Sequence, residues 1–279
     1  MAEVWLASAK GPGGFEKQVA LKRVKRSLRS SLELKQLFLN EACLAARMSH
    51  PNVVLTHGLE RIDGDAVLVM EHVDGPSCRR LLARELDAGL LLPVELACSI
   101  VAQACEGLGY VHRQGVLHLD VSPENLLVTS TGVVKLCDFG VARWAGEPCD
   151  DAWARGKPAY FAPERLDITA RVDARADLYA LGVTLFELLT GARPIAQRSG
   201  ATFGAPRSGE QFEGCPAPRV SAARGDVPAE LDALVAKLLV PEVERRPRSC
   251  GEVSEVLHAA GLVRPIGLDA ELSAVLARS

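Results

Sequence analysis

The spacing of apolar residues changes once along this chain. Up to about residue 70, short apolar runs alternate with polar residues as strands do. EVWLAS (3–8) and QVALKRV (18–24) flank the turn KGPGGFEK, and HPNVVLTHGLE (50–60) and DAVLVMEHV (65–73) flank the turn IDGD. Between the pairs, LELKQLFLNEACLAARM (32–48) has helical spacing, with Leu34, Leu37, Phe38, Leu44, Ala45 and Met48 on one stripe. Beyond the link DGPS the period becomes helical. PVELACSIVAQACEGLGYVHRQG predicts a long helix closed by Gly115, and ADLYALGVTLFELLTG and AELDALVAKLL predict two more. LLV, TSTG and VVKLC read as a hairpin. Residues 194–228, rich in Gly, Ser, Pro, Ala and Arg, read as a long irregular loop. The expected class is α+β, a strand-rich lobe followed by a helical one, with a ligand cleft between them.

Composition narrows this picture. The 279 residues carry a net charge of −3, so no bulk positive field points to nucleic acid or an anionic membrane. The densest basic run, KRVKRSLR (22–29), reads as a solvated face. Eight Cys without a C-x-x-C pair suggest reduced, mostly buried thiols in a cytoplasmic protein. No signal peptide is visible in MAEVWLASAKG. The apolar segment 178–189 is too short to span a bilayer, and Asp177 and Glu187 interrupt it, so a buried helix is expected.

Two charges fall on apolar faces. Glu41 lies in the stripe of its helix, and Lys22 shares a strand face with Ala20 and Val24. A buried unpaired charge is costly, so the economical expectation is that they pair; the alternative is that Lys22 snorkels and Glu41 sits at the stripe's edge. Folding LLV onto VVKLC brings Asn125 and Asp138 to one end, with Asp120 in the loop leading in. These hard oxygen donors suit Mg²⁺.

With those residues in view, the chain resembles the eukaryotic-like serine/threonine protein kinases of bacteria. VALK, Glu41 in NEACLAA, MEHV, HLDVSPEN, DFG (138–140), APE (162–164), Asp177 and Arg246 in RRP follow the family's order. The resemblance implies a bilobal kinase domain at 1–264, with an N-lobe at 1–70, a hinge at 71–75, a C-lobe at 76–264 and a short tail at 265–279. It implies ATP and Mg²⁺ as cofactors and a protein substrate. Lys22, held by Glu41, would contact the α- and β-phosphates. Asn125 and Asp138 would hold the metal, and Asp120 would orient the substrate hydroxyl and accept its proton. Met70 would be the gatekeeper. Glu71 and Val73 would bind adenine through their backbone, with Val4, Ala20 and Leu127 around the ring. Asp177 would brace the catalytic loop, and Arg246 would pair with Glu164.

Departures from the family pattern carry their own expectations. The glycine-rich loop aligns Ala2 with its third Gly and Val4 with its Val, so the first strand would precede Met1. On that reading the start is misassigned or the chain is truncated, which would leave an exposed strand edge. Leu119 stands where an Arg usually binds an activation-segment phosphate, and residues 144–159 hold no Ser, Thr or Tyr to carry one. Ser122 replaces the catalytic-loop Lys, while Lys157 replaces the usual Thr. We expect a compensated exchange: the Lys157 ammonium near the γ-phosphate and the Ser122 hydroxyl on Asp120. The region after Gly191 lacks the family's docking helix. Regulatory input is expected from a partner, a ligand or residues outside the chain. The alternative to an active Ser/Thr kinase is a pseudokinase, or a truncated kinase, acting as a nucleotide-binding scaffold. A small-molecule phosphotransferase fits less well, because such relatives usually lack the Glu164–Arg246 pairing.

Overall fold

Strands β1 (Ala2–Lys10), β2 (Glu16–Val24), β3 (Thr56–Ile62) and β4 (Asp65–Glu71) form one antiparallel sheet in the order β1-β2-β4-β3. The structure is a computed structural model that describes residues 2–25, 31–147, 155–167, 169–194, 219–266 and 274–276. Most of the 194–228 loop, much of the 144–159 segment and the tail residues Leu268 and Leu272 lie outside the described residues. Helix α1 (Leu32–Ala45) starts at Ser31, whose side chain accepts the Leu34 N–H at 3.2 Å. Its stripe faces inward as the periodicity requires, and Phe38 and Ala42 pack on Leu68 of β4.

The strand expected at 50–60 begins only at Thr56. The apolar residues before it have another use. Val53 makes a parallel bridge to Leu136, and the Val54 N–H donates to the Leu136 carbonyl at 2.9 Å. Both valines are buried where the sheet lobe joins the helical lobe.

Around α3 (Val94–Arg113) gather α2 (Cys78–Asp87), α4 (Ala174–Thr190), α5 (Ala229–Leu238) and α6 (Cys250–Ala259). Small strands complete the lobe: β5 (Val116–Leu117) pairs with β8 (Arg143–Trp144), and β6 (Leu126–Val128) with β7 (Val134–Leu136). Helices α2 and α6 were not read from the sequence. In α2 the buried Cys78, Leu81 and Leu82 are interleaved with Arg79, Arg80, Arg84 and Glu85, which narrows its apolar stripe. Each of the two starts at a serine cap, Ser77 and Ser249. Helix α4 is almost wholly buried and ends at Gly191, at φ +75°. Helix α3 is long and apolar enough to cross a membrane, but 72% of that stretch is buried inside the lobe.

The link that follows β4 lies tight against the helical lobe. A Cβ on Gly75 would meet the Val128 carbonyl oxygen at 1.8 Å, so only glycine allows that approach. Within the helical lobe, the buried Arg246 guanidinium forks onto Glu164 at 2.7 and 2.8 Å, the pairing the sequence suggested. From the tail, Val275 and Leu276 are buried on the chain's own lobe, where Arg84 donates to the Val275 carbonyl.

Candidate active site

Lys22 and Glu41 reach each other from β2 and α1. The Lys22 ammonium lies 2.5 Å from Glu41 Oε1 and 2.9 Å from Asp138 Oδ1, and both Lys22 and Glu41 are buried. Burial alone would lower the Lys22 pKa, but Asp138 and Glu41 outweigh it and hold the ammonium charged. Burial likewise opposes ionisation of Asp138, and the Lys22 cation outweighs it, keeping that carboxyl below its ordinary value. Asp138 adopts φ +69°, rare for a residue with a Cβ, and its Oδ1 also accepts the Gly140 N–H at 3.2 Å.

The hairpin does what its sequence implied. Leu126 pairs with Leu136, and the Cys137 N–H donates to the Asn125 carbonyl at 3.0 Å, which sets Asn125 beside Asp138. Asn125 Nδ2 donates to the Asp120 carbonyl at 2.8 Å and to Asp120 Oδ2 at 2.7 Å. Those bonds commit the Asn125 amide nitrogen and leave its Oδ1 as an oxygen donor. With the Asp138 carboxylate this is a hard, sparse donor set. It fits Mg²⁺, which uses one or two protein oxygens together with substrate phosphates. It does not amount to a cage of His, Cys, Asp and Glu, and among the described residues there is none.

Beneath this, the fully buried Asp177 of α4 accepts the backbone N–H groups of His118 at 2.9 Å and Leu119 at 2.7 Å, and contacts His112 Nε2 at 2.8 Å. It thereby braces the loop that carries Asp120, as expected. His118 is buried. Its Nε2 lies 3.1 Å from the Cys137 carbonyl and its Nδ1 accepts the Asp120 N–H at 3.3 Å, a neutral tautomer's pattern. Burial lowers its pKa from 6.5. An unfolded chain takes up that proton near 6.5 while the folded one resists it, so this contribution to stability is present above that pH and is lost below it. We expect the melting temperature to start falling as pH drops below about 6.5, with a shallower acid limb in His118→Phe. Differential scanning fluorimetry across pH checks this.

Lys157 and Ser122 behave differently from each other. The Lys157 N–H donates to Asp120 Oδ1 at 3.1 Å, its ammonium reaches Asp120 Oδ2 at 2.7 Å, and Glu124 Oε2 lies 3.5 Å away. The expected cation is therefore at the catalytic loop. The expected hydroxyl contact is not made. Ser122 is fully buried, and its Oγ has no hydrogen-bond partner among the described residues. A pairwise match in sequence fixes the backbone position and not the side chain's direction, and Lys157 itself occupies both Asp120 oxygens that Ser122 was assigned to.

A cavity of about 460 Å³ between the lobes is lined by Lys22, Glu41, Asp120, Asn125, Asp138 and Lys157, together with Val4. Ala20, Met70, Glu71, Val73 and Leu127 do not line it. Strand register places Ala20 opposite Met70 and Val4 opposite Lys22, so Val4, Ala20, Lys22 and Met70 share one sheet face. The Glu71 N–H is taken by the Leu55 carbonyl at 2.9 Å, and its carboxylate holds the Lys135 ammonium at 2.7 Å. Sequence reasoning missed a neighbouring network. Arg79 forks onto Glu187 at 2.9 and 3.1 Å, and the Tyr160 hydroxyl donates to Glu187 at 2.6 Å, beside Lys157.

Comparison with known proteins shows what the chain is similar to. A family model described as Protein kinase domain matches residues 13–259. The tyrosine-protein kinase MasK of Myxococcus xanthus is 33% identical over 88% of this chain and 39% of its own length. The serine/threonine-protein kinase PknD of Mycobacterium tuberculosis is 36% identical over 87% of this chain and 35% of its own. The chain thus spans well under half the length of these curated relatives. A crystal structure of the Mycobacterium tuberculosis PknI kinase domain superposes with a TM-score of 0.65 at 30% identity, covering 91% of this chain and 89% of that one.

Proposed function

Since this chain belongs to the protein kinase family, we propose that it transfers the γ-phosphoryl group of Mg-ATP to serine or threonine hydroxyls of a protein substrate. One observation carries the reading. The linked Glu41, Lys22 and Asp138 face Asp120 and Asn125 across one cavity between the lobes. Relatives named serine/threonine-protein kinases, among them PknJ and PknD of Mycobacterium tuberculosis, support the acceptor class, as do Pro123 and Glu124; the name of MasK points the other way.

On this reading Lys22, fixed by Glu41, holds the nucleotide phosphates, and Asn125 and Asp138 supply the metal's protein oxygens. When bound, Mg²⁺ would neutralise charge on the transferred group. Asp120 aligns the acceptor hydroxyl and takes its proton, and Lys157 places a cation beside it. Little covalent work is required of the protein, which is why the set consists of cations and oxygens held in fixed geometry. Met70, Val73, Val4, Ala20 and Leu127 are proposed to surround the adenine, with Glu71 offering its carbonyl.

Acid hydrolysis of a labelled substrate after reaction with Mg-ATP tests the acceptor class. Phosphoserine and phosphothreonine are expected, and phosphotyrosine alone would overturn the assignment. Lys157→Ala is expected to lower kcat about 100-fold, as for loss of a group that stabilises transition-state charge. Steady-state kinetics check it, and an unchanged kcat removes Lys157 from the mechanism. The reciprocal exchange of Ser122→Lys with Lys157→Thr loses half of its basis, because the Ser122 hydroxyl makes no hydrogen bond to Asp120.

A further inference from the structure

Arg165 stands one residue past Glu164 and is buried. Its guanidinium bridges two backbone carbonyls that are far apart in sequence. Nη1 donates to Leu119 O at 2.6 Å, and Nη2 donates to Arg155 O at 2.9 Å. The same guanidinium lies 3.8 Å over the Phe161 ring. These carbonyls flank the reacting pair. Leu119 immediately precedes Asp120. Arg155 precedes Gly156 and Lys157, and Lys157 gives both its N–H and its ammonium to Asp120. The chain between has little freedom. Gly156 sits at φ +110°, and a Cβ there would meet Asp120 Oδ1 at 3.1 Å. Arg155 reaches onward in turn, its side chain pairing with Glu33 on α1, the helix that carries Glu41.

Two sequence features fit this arrangement. Leu119 is buried at φ +62° and carries no charge to hold a phosphate, and residues 144–159 offer no hydroxyl to receive one. A planar fork with several donors can span two carbonyls at once, which a lysine ammonium on a flexible stem does poorly.

We propose that Arg165 is a positioning residue that fixes Asp120 and Lys157 against each other without a phosphate. The placement of residues 155–157 against the catalytic loop is then set by folding rather than by phosphorylation. The inference rests on the kinase reading above and names the regulation of that same site.

The test compares wild type with Arg165→Met, which keeps an apolar stem on Phe161 and loses both bonds, and Arg165→Lys, which keeps the charge. Arg165→Met is expected to lower kcat about 100-fold, the scale of a misplaced catalytic group, with KM for ATP unchanged because Lys22 and Asp138 are untouched. Arg165→Lys is expected to fall between the two. Hydrogen exchange at the Lys157 amide should quicken at least about tenfold in Arg165→Met, since its acceptor is no longer held in place. Phosphatase treatment of the wild type should leave kcat unchanged. A mere loss of folding would lower kcat and nucleotide binding together, and circular dichroism of Arg165→Lys separates that case. The proposal is overturned if Arg165→Met keeps kcat within about twofold with unchanged exchange, or if phosphatase abolishes turnover. If the wild type itself transfers no phosphate, the kinase reading fails, while the exchange comparison still decides whether Arg165 holds the segment.

Discussion

Asp120→Asn is expected to lower kcat about 1000-fold, within the range set by loss of a general base, while the affinity for Mg-ATP stays close to that of the wild type. The Asp120 carboxylate accepts from Asn125 Nδ2, the Lys157 N–H and the Lys157 ammonium. Each donor is fixed elsewhere: Asn125 by the hairpin, Lys157 by the turn at Gly156. An amide keeps one acceptor oxygen and turns an NH₂ toward donors, so it can no longer take a proton and loses at least one bond. On the proposed reading nucleotide binding depends on Lys22 and Asp138, which the change leaves alone. Steady-state kinetics with calorimetric titration of Mg-ATP check the split. A kcat within about tenfold of wild type would remove Asp120 from its role.

The second large effect is Lys22→Met. The lysine neutralises Glu41 and Asp138 at once, and both Lys22 and Glu41 are buried. Removing it leaves the buried Glu41 carboxylate without its cation and beside a second carboxylate, the more exposed Asp138, and breaking a buried pair costs about 3–5 kcal/mol. Urea denaturation should show that loss, and turnover should fall with it. The double variant Lys22→Met with Glu41→Leu should regain much of the stability and none of the turnover, because an apolar pair can replace a buried ion pair structurally but cannot hold phosphate. Recovery of turnover would contradict the role given to Lys22.

The parts of this site that were legible in the sequence share a physical reason. Glu41 in an apolar stripe had to find a cation, and Lys22 on an apolar strand face had to find an anion; the structure joins them. Asn125 and Asp138 converge because a short hairpin brings its ends together. Arg165 was illegible because its partners are backbone carbonyls, which every residue carries. Ser122 was misassigned because its alignment said nothing of where its hydroxyl goes, and burial keeps that hydroxyl away from Asp120. Helices α2 and α6 escaped because charges interrupt one and Gly251 lies within the other, so neither shows a long apolar stripe; Ser77 and Ser249, their caps, were the signals available. The run 50–54 read as strand because its valines are apolar, although they serve the junction between the lobes.

The most direct measurement is transfer of labelled phosphate from Mg-ATP by the purified 279-residue chain, to itself and to a generic basic protein, beside Asp138→Ala. The kinase reading predicts transfer by the wild type that vanishes in the variant, since Asp138 anchors Lys22 and would supply a metal oxygen. Nucleotide binding without transfer by the wild type, or transfer that survives in Asp138→Ala, would contradict it.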